Sequence, residues 1–389
     1  MFRISKVFLP LAATLVAAGS VAGIAYATGS AGGAQASYTV VMSGLDNPRG
    51  LTFARSGKSE GEGEGGWSLY VAEAGTGGSL RCTPLRGPVC VGLTGAVSRL
   101  RNGHQTRVVS GLPSYAPFNA ANAGAVGPSD VSFADGRGYV AIGLAAPVSI
   151  RAALGEKFGW IASFDKKGSV SYETDVSAYE LQANPDLGPY ESNPYGLLAG
   201  AGKRVVADAA SNSLLQLSPS GNISTLAVFP SRFYPSAGSR TTDAVPNSVA
   251  TGPDGAYYVG ELTGSPFNPG TANVWRVVQG QAPEVYCSGF SFIIDIAFDR
   301  HGDLYVLENA SGLGGPIAGT PGQLLRVGSD CSKTPVATGL PAPTSVAIGP
   351  DGNAYLSIFG TSAAVGQVVR VDLAAQHRED DNDGTESGD

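Results

Sequence analysis

Six acidic side chains stand at two fixed positions of a sequence frame that recurs along this chain. Glu73, Asp208, Glu261 and Glu308 each close an apolar or aromatic run, where two further copies of the frame carry Ile142 and Ile358. Asp130 and Asp295 sit at a second position, which holds Gly50, Gly196, Ser248 and Ser345 in the other copies. Just before it come Arg49, Ser129, Tyr195, Asn247, Ile294 and Thr344. Carboxylates that converge repel one another unless a positive charge or a set of donors balances them. Carboxylate, carbonyl and Asn oxygens are the ligands of hard cations. The set Glu73, Asp130, Asp208, Glu261, Asp295 and Glu308 is thus a candidate site for Ca²⁺ or another hard divalent cation. The same side chains would equally serve as caps on backbone N–H groups of their own loops, or as partners of Arg49. Both readings stand at this point. Soft and borderline metals are disfavoured, because no His or Cys accompanies the carboxylates.

The frame that carries these residues is a strand, a tight turn and a second strand. It occurs as "NPRGLTF…WSLYVAEAG", "GPSDVSFADGRGYVAIG", "NPYGLLAGAGKRVVADA", "VPNSVATGPDGAYYVGELTG", "FIIDIAFDRHGDLYVLENA" and "APTSVAIGPDGNAYLSIFG". Aligned on Gly50, Asp130, Gly196, Ser248, Asp295 and Ser345, the copies are 80, 66, 52, 47 and 50 residues apart. Each continues into a third alternating strand, such as "GAVSRL", "ANVWRV" or "GQVVRV", and most into a fourth, such as "TRVVSGL" or "TPVATGL". Four short strands per repeat is the pattern of a β-propeller blade, and a β-solenoid would have shorter repeats and different turns. The sixth copy lacks a fourth strand, but "SYTVVMSGL" (37–45) matches "QTRVVSGL" (105–112). The fold expected is all-β, a six-bladed β-propeller over residues 37–375, closed by the N-terminal strand completing the last blade. That closure removes an open sheet edge. Residues 149–155 and 176–183 are the expected short helices.

In such a ring, the end of strand two and the start of strand one meet beside the central channel on one face. The long insertions fall on that same face: 74–94, 113–127, 143–159, 178–192, 230–246, 262–273 and 309–322. They carry Tyr115, Phe118, Tyr190, Phe233, Tyr234 and Phe267. Loops on a rigid scaffold are where binding concentrates. Arg49, Tyr195, Asn247 and Thr344 are the polar residues expected at the channel mouth. The opposite face has short turns, apart from the low-complexity run "SGKSEGEGEGG" (56–66).

The chain has 389 residues, 43% of them apolar, with 55 glycines and a net charge of −7. That composition suits a large core joined by many tight turns, and an acidic balance without basic clusters argues against nucleic-acid partners. The N-terminus has Arg3 and Lys6, then an apolar run rich in small residues, then "AYA" and "AQA". It reads as a signal peptide over 1–36, cut after Ala27 or Ala36, with an uncleaved anchor as the alternative. Its removal would leave no membrane span and take the net charge from −7 to −9. Export fits the four cysteines. Cys82 and Cys90 share one loop and suggest a local bridge, leaving Cys287 with Cys331. A zinc site is the rival reading, but no His lies near either group. The tail at 376–389, "QHREDDNDGTESGD", reads as a disordered acidic segment. No Ser–His–Asp set can be built at the channel mouth, since His104 and His301 belong to the opposite face and His377 to the tail. "GEGEGG" does not open a helix, so it is no phosphate loop.

The segments "SGLDNPRGLTF", "LYVAEAG", "GPSDVSF", "ESNPYGLL", "VVADAASNSLL", "VPNSVATGPDGAYYVGELTG" and "FSFIIDIAFDRHGDLYVLE" resemble secreted bacterial proteins of the ScyD/ScyE family, from about Tyr38 to Asp372. The resemblance implies a six-bladed propeller and an exported location, with no established reaction. A looser architectural likeness links the frame to NHL-type and gluconolactonase/regucalcin-like propellers. The latter hold a divalent cation with Glu, Asn and Asp, and here Glu73, with Asp208 or Asn247, is in a matching place. The functional expectation is a monomeric, secreted or periplasmic, non-catalytic propeller that binds a small molecule, a glycan or a protein on its loop-rich face. The alternative is a metal-dependent lactonase- or esterase-like hydrolase at the channel mouth, and a third reading is a component of the cell envelope.

Overall fold

Blade-to-blade stacking explains the sequence pattern. In strand two the third residue from the end is Val71, Val140, Val206, Val259, Val306 or Leu356, and all six are fully buried. The next residue is as well covered in Ala72, Ala141, Ala207, Leu307 and Ser357. Both faces of strand two are therefore dry, as they must be when each sheet is sandwiched between two others.

The computed structural model describes residues 38–55, 66–85, 87–118, 124–234, 240–310 and 320–373. The leader, nearly all of the 56–66 run and the acidic tail lie outside them. Five blades run strand one to four from the axis outward. They begin at Pro48–Arg55, Pro128–Ala134, Pro194–Gly200, Pro246–Thr251 and Ile293–Phe298. Blade six has strands Ser345–Ile348, Ala354–Ile358 and Gly366–Val371, and its fourth strand is Tyr38–Leu45, antiparallel to Gly366–Val371. The closure expected from "SYTVVMSGL" is present. Each first strand touches the first strands of both neighbours, which completes the ring.

A β-bulge recurs near the start of strand one. Pro128 pairs with Ile142, Pro194 with Asp208, Pro246 with Glu261 and Ile293 with Glu308, and the register then slips by one residue. The extra residues are Ser129, Tyr195, Asn247 and Ile294, with Arg49 in the corresponding slip of blade one. A bulge re-aims side chains and ends regular pairing. It gives the channel mouth its own set of residues, distinct from those that fill the blades.

One insertion differs from expectation. Residues 74–94 are not a plain loop: Arg81–Pro84 pairs with a 14-residue third strand, Pro88–Arg101, and the fourth strand runs on to Pro117. The Cys82–Cys90 disulfide joins directly paired residues of that hairpin. Helix Val176–Ala183 is capped by Asp175, whose side chain accepts from the Ala178 N–H, and ends at Asn184 in the left-handed region. No helix among the described residues is long and apolar enough to cross a membrane.

The second disulfide, Cys287–Cys331, spans 44 residues and ties the outer strand of blade four to a turn of blade five. In the chain-entropy account a loop of that length contributes about 4 kcal/mol, and a loop of eight about 2.5 kcal/mol. The Cys287→Ser/Cys331→Ser variant is therefore expected to lose more stability in denaturant than Cys82→Ser/Cys90→Ser. Equal losses would contradict the assignment of the long bridge as the stronger staple.

Candidate functional site

The structure divides the six carboxylates into two groups. Glu73, Asp208, Glu261 and Glu308 end the second strands and are at most 3% exposed. A charge in such a place must be paired or hydrogen-bonded internally. Glu73 reaches outward along blade one and accepts from the Ser98 hydroxyl (2.6 Å), from Arg107 Nη2 (2.6 Å) and from the Asp46 N–H (2.8 Å). Glu261 forms a paired contact with the Arg232 guanidinium and accepts from Trp275 Nε1 (2.6 Å) and the Asn273 N–H (2.8 Å). Glu308 accepts from the Ser291 N–H (2.6 Å) and Gln323 Nε2 (2.8 Å). Asp208, one methylene shorter, stays at the strand end. It accepts from Ser192 and the N–H groups of Asn193, Ala210 and Ser211.

Burial raises the proton affinity of Asp208, Glu261 and Glu308, and these donors oppose it. The four side chains are spent inside their own blades. They do not encircle the channel, and the expected six-carboxylate cation site is not assembled. Its oxygens are already engaged, and among the described residues no three His, Cys, Asp or Glu side chains come together to hold a metal. The sequence could show that a carboxylate ends strand two. It could not show that the side chain turns from the axis toward strands three and four, where Ser98, Arg107 and Trp275 wait.

Asp130 and Asp295 do face the channel. Strand one is the inner edge of each sheet, so its outward N–H groups lack a ladder partner. Asp130 caps its own Val131 N–H and, across the seam to blade three, the Leu197 N–H, both at 2.7 Å. Asp295 caps Ile296 (2.8 Å) and, in blade six, Val346 (2.9 Å) and the Ser345 hydroxyl (2.5 Å). Ser345 in turn accepts from Leu51 N–H of blade one (3.0 Å). Gly50 is glycine because blade two presses on it: a Cβ there would lie 1.9 Å from Asp130 Oδ1 and 2.7 Å from its Cα.

Burial is the main cause of a proton affinity well above the usual range at Asp130, and the charge of Asp295 adds to it. Burial pushes Asp295 to a pKa of about 6. Tyr195 is also raised, chiefly by burial. The charge of Arg49 opposes that rise, and the charges of Asp295 and Asp130 add to it.

The other expected mouth residues separate in the same way. Arg49 bridges the seam, donating to the carbonyls of Gly360 in blade six (2.5 Å) and Ala125 before blade two (3.0 Å). Thr344 donates to Pro48 O (2.8 Å). The Tyr195 ring leaves blade three and packs against the apolar cluster of blades five and six, which includes Ile294, Val346 and Ile358. Asn247 is 4% exposed. Insertion residues on the same face keep apolar surface in water: Leu80, Leu93, Phe118, Leu187, Tyr190 and Phe233 are each more than half exposed.

On the opposite face an Asp–Tyr–Arg set holds the Gly-Pro-Asp-Gly turns, which sequence reasoning missed. Asp254 accepts from Arg276 Nε (2.7 Å) and, weakly, the Tyr258 hydroxyl, and Asp351 from Arg370 Nε (3.0 Å) and the Tyr355 hydroxyl (3.1 Å). The signal was present as a Tyr four residues after the turn Asp and an Arg in strand three.

No family model matches the chain, and no curated protein matches it. Solved structures do. A protein of unknown function from Bacteroides thetaiotaomicron is 9% identical over 86% of this chain and 72% of its own, with a TM-score of 0.51. Regucalcin from Agrobacterium tumefaciens, described as a calcium-binding protein, is 12% identical over 86% and 93%, with a TM-score of 0.49. Virginiamycin B lyase from Staphylococcus aureus is 14% identical over 87% and 88%, with a TM-score of 0.44. At such identities the likeness extends to the fold alone. The chain is a six-bladed β-propeller.

Proposed function

We propose that this protein is an exported, monomeric, non-catalytic binding propeller of the ScyD/ScyE type, which takes a glycan, small molecule or protein on its loop-rich face. One observation carries the reading: the strand-end carboxylates that a hydrolase would need free are committed to buried donors, while exposed apolar side chains collect on the insertions. Aromatic and aliphatic side chains standing in water on a rigid face mark an interaction surface. The family assignment rests on the motifs alone. Export is supported by the leader-like N-terminus and by two disulfides. The hydrolase alternative would need a cation, and among the described residues no three His, Cys, Asp or Glu side chains come together to hold one.

The test is a glycan and small-molecule panel screened against the wild type and Phe118→Ser/Tyr190→Ser. A ligand that binds the wild type and loses at least tenfold in affinity in the variant, at unchanged melting temperature, supports the proposal. A lactonase activity abolished by EDTA would sink it in favour of the hydrolase, and a ligand indifferent to the variant would displace it from this face.

A further inference from the structure

We propose that the loop-rich face docks on a neutral lipid surface, into which its apolar side chains insert. The inference rests on that face being the functional one. Among the described residues, the six most exposed large apolar side chains all stand on it: Leu80, Leu93 and Phe118 on blade one, Leu187 and Tyr190 before blade three, and Phe233 before blade four. Leu187 is 82% exposed and Leu80 65%. A single leucine in water is ordinary, but a one-sided concentration is not. Charge is distributed the other way. Insertions 113–127, 262–273 and 309–322 contain no charged residue. In the others, Arg151 is paired with Asp175 and Arg232 with Glu261, Glu180 and Glu191 are buried, and Glu156 lies 3.6 Å from Arg151. The opposite face exposes Asp135, Lys166, Lys167, Asp254, Arg300 and Asp330. A face that puts leucines in water and keeps charge back is matched to a partner that is itself apolar and uncharged, because a charge carried into hydrocarbon costs free energy.

Two features select lipid over a protein partner. Protein hot spots draw on Trp, Tyr and Arg and use little Leu, whereas Leu and Phe with an interfacial Tyr are what inserts at a bilayer surface. Of the six side chains three are Leu, two are Phe and one is Tyr. They are also spread round the ring on separate insertions, so a rigid partner would need a matching relief at each, and a fluid layer needs none. The scaffold already holds them out, which spares the ordering cost of binding. Leu80 and Leu93 flank the hairpin closed by Cys82–Cys90, where the Leu80 N–H donates to the Val91 carbonyl (2.9 Å). The Tyr190 carbonyl accepts from the Val148 N–H (2.9 Å), which ties its insertion to that of blade two. Attachment of this kind needs neither anionic headgroups nor basic residues, so salt does not screen it.

Cosedimentation with phosphatidylcholine vesicles tests this, using the chain without residues 1–36, whose ring closes within residues 38–373. Expected is partition that saturates with lipid, changes less than about twofold between low and high NaCl, and gains nothing from added phosphatidylglycerol. Leu80→Ser/Leu187→Ser should lower the partition coefficient about tenfold or more. Its melting temperature should not change, since both side chains stand in water when lipid is absent. Val285→Ser, at a half-exposed residue on the outer strand of blade four, should leave partition unchanged. No partition, partition that requires phosphatidylglycerol or fades with salt, equal binding by the double variant, or equal loss in Val285→Ser would each overturn the proposal. So would self-association of the lipid-free chain that the double variant abolishes, which would give the face to a second copy. A chain that ignores vesicles yet loses a panel ligand in Phe118→Ser/Tyr190→Ser leaves the proposed binding function standing, so the two readings fail separately.

Discussion

Glu261→Ala is expected to lower the free energy of unfolding by about 3–5 kcal/mol, read as a shift of the denaturant midpoint. The carboxylate is fully buried and receives the Arg232 guanidinium, the Trp275 indole N–H and the Asn273 N–H. Its removal leaves a partly buried cation and two buried donors without acceptors, the costliest way to break a buried pair. Arg232 also anchors the Arg232–Tyr234 strand of an insertion to blade four, so the loss should loosen that insertion. Glu261→Gln keeps the shape and one acceptor, and about 2 kcal/mol is expected. Addition of Ca²⁺ should not restore either variant. A loss below 1 kcal/mol in Glu261→Ala would show that the carboxylate is not the keystone that its contacts describe.

The second large effect is a dependence of stability on pH that runs opposite to ordinary acid denaturation. Asp295 has a pKa of about 6 in the folded protein, and a carboxylate in an unfolded chain titrates near 4. The folded state therefore binds the proton more tightly than the unfolded state. Its contribution is full below pH 4, declines between about 4 and 6, and is gone above that range. The expected cost of moving from pH 4 to pH 7 is about 2 kcal/mol from this residue. Asp130 adds in the same sense, since burial and the charge of Asp295 hold its proton affinity still higher. Midpoints measured at pH 4.5 and 7.5 in the wild type and in Asp295→Asn isolate the term. The wild type should lose more than the variant. Parallel slopes would mean that channel water screens Asp295.

Both expectations turn on a distinction that the sequence did not display. The periodicity of apolar residues, the Gly-Pro-Asp-Gly turns and the match of residues 37–45 to 105–112 were enough for the number of blades, the strand order and the closure. These follow from local alternation and from the need to cover every sheet face and edge, so they are written in nearest neighbours along the chain. The cysteine pairs were legible for a similar reason: one pair shares a hairpin, and only one other pair remained. The hairpin itself was less legible, because Gly and Pro around residues 74–94 read as loop while pairing with an extended third strand overrode them.

The fate of the carboxylates was decided in three dimensions. Position in the repeat placed Glu73, Asp208, Glu261 and Glu308 at the ends of second strands, as the structure has them. It did not say which way they point, because that depends on donors far away in sequence, such as Arg107 for Glu73 and Trp275 for Glu261. The isoleucines at 142 and 358 are fully buried at the same place and pack with the apolar clusters around them. Asp130 and Asp295 looked no more special in the sequence than the other four. They acquired their raised proton affinity only when ring closure set blade two opposite blade five and partly buried both beside the axis. The sequence by itself determined the blade, because a blade is made of neighbours. Only the tertiary structure decided which acids are mortar and which face the channel, because burial and charge are properties of the assembled ring.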